Sequence, residues 1–184
     1  MLIASYRWGD METVDVVVLS GAPGVGKSSL AEEMFDQLCD RSVRHAVIDV
    51  DALCLSYPFR SGDPYNNATA IENVASVWAN FSRQGIDRLV LVRVVESRSD
   101  VERLLAAVPG ARATVCHLAA SPSTVEERIR RREVGSSTES LAARGRQFAA
   151  KEPDAEFVDI VLETGGRALD ELATELLARL GWID

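Results

Sequence analysis

Gly21-Ala22-Pro23-Gly24-Val25-Gly26-Lys27-Ser28 sets glycines, a lysine and a hydroxyl at the spacing G-x-x-x-x-G-K-[ST]. Glycines let a backbone curl until several N–H groups converge on one anion. A lysine and a serine at the end of such a turn offer a positive charge to the β- and γ-phosphates and an oxygen to Mg2+. With Ser29, this stretch is expected to hold a nucleotide. Asp49-Val50-Asp51 then places two carboxylates on one side of an extended chain. A carboxylate near bound phosphate can hold a metal-bound water, or orient an acceptor hydroxyl and take its proton. Arg128, Arg130, Arg131 and Arg132 form a basic knot, and on a helix Arg128, Arg131 and Arg132 share one face. Guanidinium forks stabilise the charge that spreads over a phosphoryl group in flight.

Other side chains have the chemistry to recognise an acceptor. Arg60, in a turn-rich stretch, can grip an anionic or polar molecule. Glu96 follows an apolar run and can assist Mg2+ or the acceptor. Tyr57, Phe59, Tyr65 and Asn80 add ring faces and hydrogen-bonding groups, so acceptor specificity is expected between Ala52 and Phe81. Trp78 and Phe81 fall on an apolar helical stripe and read as core.

These groups meet only if several strand ends lie together. Val14 to Ser20 is an apolar run of the kind buried on both faces of a sheet. Leu30, Met34 and Leu38 keep helical spacing after the glycine turn. "RHAVIDVD" predicts a second strand, and "LCLSYPFRSGDPYNN" a loop or broken helix. Ile71, Val74, Val77, Trp78 and Phe81 predict a helix stopped near Gly85. "DRLVLVRVVE", "ARATVCHLAA" and "EFVDIVLET" complete five strands. Helices are expected between them, one capped by Ser97 or Ser99, one opened by Pro122, one opened by an approximate cap in "STES", and a last one closing the chain. Strands alternating with helices predict an α/β fold with a parallel sheet covered on both faces. In such sheets ligands sit at the carboxyl ends of the strands, where Gly21 to Ser28, Asp49 to Asp51 and Glu96 all fall.

The 184 residues, 47% hydrophobic, suit one domain over 1–184 with a loose N-terminal arm at 1–13. A net charge of -8 and a pI near 4.9 argue against nucleic acid and anionic membrane as partners. No signal-like or membrane-length apolar stretch occurs, so a cytoplasmic protein is expected. Cys39, Cys54 and Cys116 are an odd set without metal-type spacing and read as reduced thiols.

The chain resembles the small P-loop kinases, such as shikimate, gluconate, adenylylsulfate and nucleoside kinases and antibiotic phosphotransferases. The resemblance runs from Val14 to Leu180 and rests on the phosphate loop, on Asp49-Val50-Asp51 and on "ERIRRREVG". It implies a three-layer P-loop NTPase fold, a strand order of 2-3-1-4-5 and a short arginine-rich lid over ATP. Asp51 would serve the acceptor with Asp49 in support, and Asp51 would share Mg2+ with Ser28. Arg128 would cover the adenine, Arg132 would contact the phosphates, and Arg144 or Arg146 would supply a second lid arginine. Lys27, Asp51 and Arg132 form the implied catalytic set, with ATP and Mg2+ as cofactors and a small-molecule acceptor as partner. Adenylylsulfate kinases place an arginine three residues after their D-x-D, where this chain has Cys54, and "DPYNN" lacks their arginine-bearing motif. The arginine and glycine pair expected of shikimate kinases do not align either. No named acceptor follows.

A nucleotide-driven regulatory ATPase is the competing class. A GTPase switch needs N-K-x-D, which is absent. An AAA-type machine needs an apolar run closed by Asp-Glu, whereas "LVLVRVVES" offers one acid and the chain is short for that class. Intact Lys27, Ser28 and Asp51 argue against a degenerate binding module.

Overall fold

β1 (Val14–Gly21) is buried along nearly its whole length because helices cover both of its faces. Val17 and Leu19 enter one hydrophobic core and Val16 and Val18 the other. The computed structural model describes residues 13–63, 65–132 and 138–184; apart from Thr13, the expected arm at 1–13 lies outside them. The remaining elements are α1 (Lys27–Asp40), β2 (Ala46–Asp49), α2 (Asn67–Ser82), β3 (Arg88–Val92), α3 (Arg98–Leu105), β4 (Ala111–Ala119), α4 (Pro122–Arg132), α5 (Thr138–Ala149), β5 (Ile160–Glu163) and α6 (Leu169–Arg179).

The five strands form one parallel sheet in the order β2-β3-β1-β4-β5. This is the order that the resemblance implies. In register, Val17 of β1 lies between Val90 of β3 and Thr114 of β4. Leu30, Met34 and Leu38 of α1 share one core with Leu172 and Leu176 of α6 and with Val125 and Ile129 of α4. Val74 and Trp78 of α2 fill the other with Val101 and Leu104 of α3. Trp78 is core, as its spacing predicts. Each fully buried aliphatic side chain contributes about 1.5–3 kcal/mol of transfer free energy, which holds the layers to the sheet.

Two strands are shorter than their sequence runs suggest. β3 stops at Val92 because the Ser20 hydroxyl takes over the pairing beyond it, accepting from Val95 N at 3.1 Å and donating to Val95 O at 3.3 Å. Arg93 N still donates to Leu19 O at 3.1 Å, which keeps this residue at the carboxyl end of the sheet. β5 begins at Ile160, since Phe157 and Val158 turn back to donate to Asp154 O. Ser97 caps α3, accepting from Asp100 N at 3.2 Å. Pro122 opens α4, as expected. Ser137, the start of the expected "STES" cap, lies outside the described residues.

The stretch after β2 forms a short 3-10 turn, Ala52–Cys54, and then a loop. Asn66, 1% exposed, pins this loop by donating to the carbonyls of Cys54 and Ser56 at 3.0 and 3.1 Å. The expected arginine-rich lid would span α4, the break after it and α5, and residues 133–137 of that break lie outside the described residues. No described helix is long and apolar enough to cross a membrane.

Candidate active site

The phosphate loop joins the end of β1 to the first turn of α1. Gly24 adopts φ +82°, and a Cβ there would stand 2.4 Å from Ile129 Cγ1 of α4, so only glycine suits the turn. Lys27 is buried, with Nζ donating to the carbonyls of Gly21 at 2.9 Å and Ala22 at 3.1 Å. Burial pushes its ammonium down from 10.5 to about 8; Asp51 and Asp49 pull the other way, and the charge of Arg132 adds to the depression. The lysine is thus folded back onto its own loop, close to both acids and to the arginine at the end of α4.

The two acids divide between two networks. Ser28 Oγ donates to Asp49 Oδ2 at 2.8 Å, and the other oxygen of Asp49 accepts from Asp51 N at 3.1 Å. Asp51 Oδ1 accepts from Arg93 Nη1 at 2.6 Å, while Arg93 Nη2 donates to Asn67 Oδ1 at 2.5 Å. Arg93 also lies 3.7 Å from Cys54 Sγ, and its side chain is only 14% exposed. Sequence reading missed Arg93 because it sits inside an apolar run taken as strand. Its signal was a lone arginine near the carboxyl end of that run. The hydroxyl of Ser28 and the carboxylate of Asp49 are hard oxygen donors of the kind Mg2+ prefers. Among the described residues no group of three or more His, Cys, Asp or Glu could hold a metal, so phosphate and water oxygens would have to complete its shell.

Other candidate residues stand apart from this centre. Arg60 makes a two-pronged pair with Glu72 of α2, at 2.9 and 2.7 Å, on the exposed surface. Glu96 pairs with Lys151 at 2.8 Å, also exposed. Arg128 is half-buried and ties the loop after β5 to the phosphate loop, donating to Val25 O at 2.8 Å and to Thr164 Oγ1 and O at 3.0 Å each. Arg130 joins Glu126 to Glu139, stitching α4 to α5. Arg132 is exposed at the end of α4, and its charge reaches Lys27. Arg144 lies over the rings of Tyr65 and Phe148, at 5.4 and 5.6 Å from their centroids.

Two cavities lie near the carboxyl ends of the strands. The larger, about 660 Å3, touches the loop at Ala22 and Val25 and includes His117, Lys151 and Glu163, but none of Asp49, Asp51 or Arg93. The smaller, about 370 Å3, lies between α2, α3 and the end of β3 and shares Arg93 and Asn67 with the Asp51 network. Neither Asp49 nor Asp51 lines the smaller cavity, but Arg93, which holds Asp51, does.

A family model described as an AAA domain matches residues 16–152. Among curated proteins, none matches this chain. A gluconokinase from Sinorhizobium meliloti 1021 is similar in structure at 21% identity and a TM-score of 0.60, with 91% of this chain and 92% of that one covered. The Mycobacterium tuberculosis APS kinase CysC, solved with AMPPNP and APS, is 19% identical with a TM-score of 0.61, covering 92% and 98%. The Deinococcus radiodurans tunicamycin resistance protein is 18% identical with a TM-score of 0.58, covering 91% and 96%. At these identities the likeness is one of fold, and the fold is that of the small P-loop kinases.

Proposed function

The chain belongs to the AAA domain family, whose model spans more than half of it, and from that premise we propose that it is an ATP-dependent phosphotransferase acting on a hydroxyl of a small molecule. The observation that carries this reading is the pairing of Asp51 with Arg93 beside the Lys27, Ser28 and Asp49 cluster. A switch or motor needs only the second group. A transferase needs both, because one binds the phosphoryl donor and the other receives the acceptor.

Lys27 exchanges the carbonyls of Gly21 and Ala22 for the β- and γ-phosphate oxygens, while the backbone N–H groups of residues 24–28 surround the anion. Ser28, backed by Asp49, holds the metal position, a closer match to the geometry than Ser28 with Asp51. A magnesium ion held there would supply positive charge to offset that of the phosphates. Arg93 occupies Oδ1 of Asp51, which leaves Oδ2 to accept a hydrogen bond from the acceptor hydroxyl. As the new O–P bond forms, the bond from the γ-phosphorus to the bridging oxygen breaks, ADP departs and the hydroxyl proton passes to Asp51. Arg132 offers its fork to the transferred group. Arg128 braces the phosphate loop and, by the resemblance, covers the adenine. Arg60 and Glu96 would have to leave their present ion-pair partners before either could meet an acceptor. A reaction that spends ATP suits a cytoplasmic protein.

ADP release from ATP and Mg2+, with and without a panel of acceptors, tests the reading, with Lys27→Ala as the control. The wild-type chain should be nearly silent alone and stimulated by one acceptor class. Hydrolysis that ignores every small molecule, or responds only to another protein, would instead identify a regulatory ATPase.

A further inference from the structure

The smaller cavity balances its own charges. Two guanidiniums, Arg93 and Arg103, and two carboxylates, Asp63 and Asp100, belong to its lining. Asp63 accepts from the N–H groups of Asn67 at 2.8 Å and Ala68 at 2.9 Å, at the start of α2. Those donors hold its carboxyl below the usual range, that of Ala68 most strongly. Asp100 accepts from Glu96 N at 3.0 Å and Ser97 Oγ at 2.9 Å, and it pairs with Arg103. Burial works to raise the Asp100 carboxyl, yet these donors together keep it below the usual range. Both acids are therefore ionised at neutral pH, and the four charges of the lining cancel; Asp51 bonds Arg93 from outside the lining and faces the charge of Lys27. An anionic ligand would meet two carboxylates fixed by backbone donors, and a cationic one would meet two guanidiniums.

What remains is an alternation of acceptors and donors within a small space. Carboxylate lone pairs accept, guanidinium N–H groups donate, and the amide of Asn67 does both. Ile71, Val95 and Leu104 add an aliphatic wall, and among the described residues no aromatic ring stands in the lining to stack a base. Adjacent hydroxyls, each a donor and an acceptor, match the polar side, and the C–H face of a compact ring or chain matches the wall. At about 370 Å3 the cavity is near the small end of ligand pockets, which span roughly 300–1,000 Å3.

We propose that the phosphoryl acceptor is an uncharged, polyhydroxylated molecule of about monosaccharide size, held in this cavity with one hydroxyl presented to Asp51. The inference rests on the kinase reading above. It is tested by ADP release with neutral pentoses, hexoses and cyclitols against sugar acids, nucleosides, aminoglycosides and phenicols, with products identified by phosphorus NMR. Saturation-transfer NMR on protein loaded with ADP and Mg2+ reads binding of the same compounds independently of turnover.

Neutral polyols should bind and turn over. Ala68→Leu, at the exposed start of α2, narrows the cavity and should raise their KM about tenfold or more, while fluorescent ADP binds as before. Arg103→Gln leaves the lining one charge negative and should favour an amino sugar over its neutral parent by about tenfold in kcat/KM. Turnover confined to charged or aromatic acceptors, or a polyol KM indifferent to Ala68→Leu, overturns the inference and leaves the kinase reading standing. Absence of turnover with every acceptor class overturns both.

Discussion

At the scale of single residues, the site works by assigning each oxygen of its acids. Asp51→Asn keeps the hydrogen bonding but cannot take a proton, so nucleotide affinity should hold while kcat falls by about 10²–10⁴-fold. Near-normal turnover would remove Asp51 from the mechanism. Arg93 fixes Asp51 through a 2.6 Å bond, so Arg93→Met should lower kcat more than it changes the KM for ATP, and Arg93→Lys should restore part of the loss. A purely structural Arg93 would lower both variants alike, in step with stability. Lys27 yields a pH prediction. Phosphate needs the charged amine, and in the free protein the proton leaves at about 8. Nucleotide affinity should therefore be level below that pH and weaken by about tenfold per unit above it, until the bound lysine also titrates. A flat titration of fluorescent ADP from about pH 7 to about pH 9.5 would contradict this. Folding carries the opposite sign. The unfolded lysine keeps its proton to 10.5 and the folded one releases it at about 8, so this residue's cost to stability shrinks as pH rises between those values. Lys27→Met should lack that rise in urea melts.

Among the elements, α4 and α5 act as a clasp on the phosphate loop. Gly145 of α5 is buried where an added Cβ would meet Ile129 Cδ1 at 2.5 Å, Val125 Cγ1 at 3.0 Å and Pro23 O at 3.1 Å. Gly145→Val should push α5 away from the loop and destabilise the protein by about 1–3 kcal/mol, read from urea unfolding. Arg128→Ala would strip donors from Val25 O and Thr164 O, both otherwise drawn together by one guanidinium. We expect a loss of about 1–3 kcal/mol and weaker nucleotide binding, with no change in the pH at which affinity begins to fall. Most elements were legible because their causes are local. The 3.6-residue spacing of Val74 and Trp78 marked α2, and a serine hydroxyl, from Ser97 or Ser99, marked the start of α3, where Ser97 is the cap. The end of β3 was not legible. It is set by Ser20, on a neighbouring strand and 75 residues away in sequence from its partner Val95.

For the whole molecule, a parallel sheet with α1 and α6 on one face and α2 and α3 on the other sets five strand ends in a row, and the site is what those ends carry. Nucleotide that binds only the folded chain should stabilise it by about 2.7 kcal/mol at one hundred times its Kd, a rise in Tm that Lys27→Ala should lack. Equal thermal shifts in both proteins would place the nucleotide elsewhere. The sequence by itself determined the phosphate cradle, since its turn is built from closely spaced glycines, Gly21, Gly24 and Gly26, whose backbone freedom is a local property. It likewise determined the alternation of strands and helices and the presence of an acid pair after β2, each a matter of neighbouring residues. Tertiary structure alone decided which acid serves which partner. Asp49 meets Ser28 across 21 residues and Asp51 meets Arg93 across 42, and neither distance has any trace in local pattern. It also drew Arg60 and Glu96 into surface ion pairs and set Arg93 against Asp51, because a side chain's partner is chosen by where the sheet's crossovers deliver it.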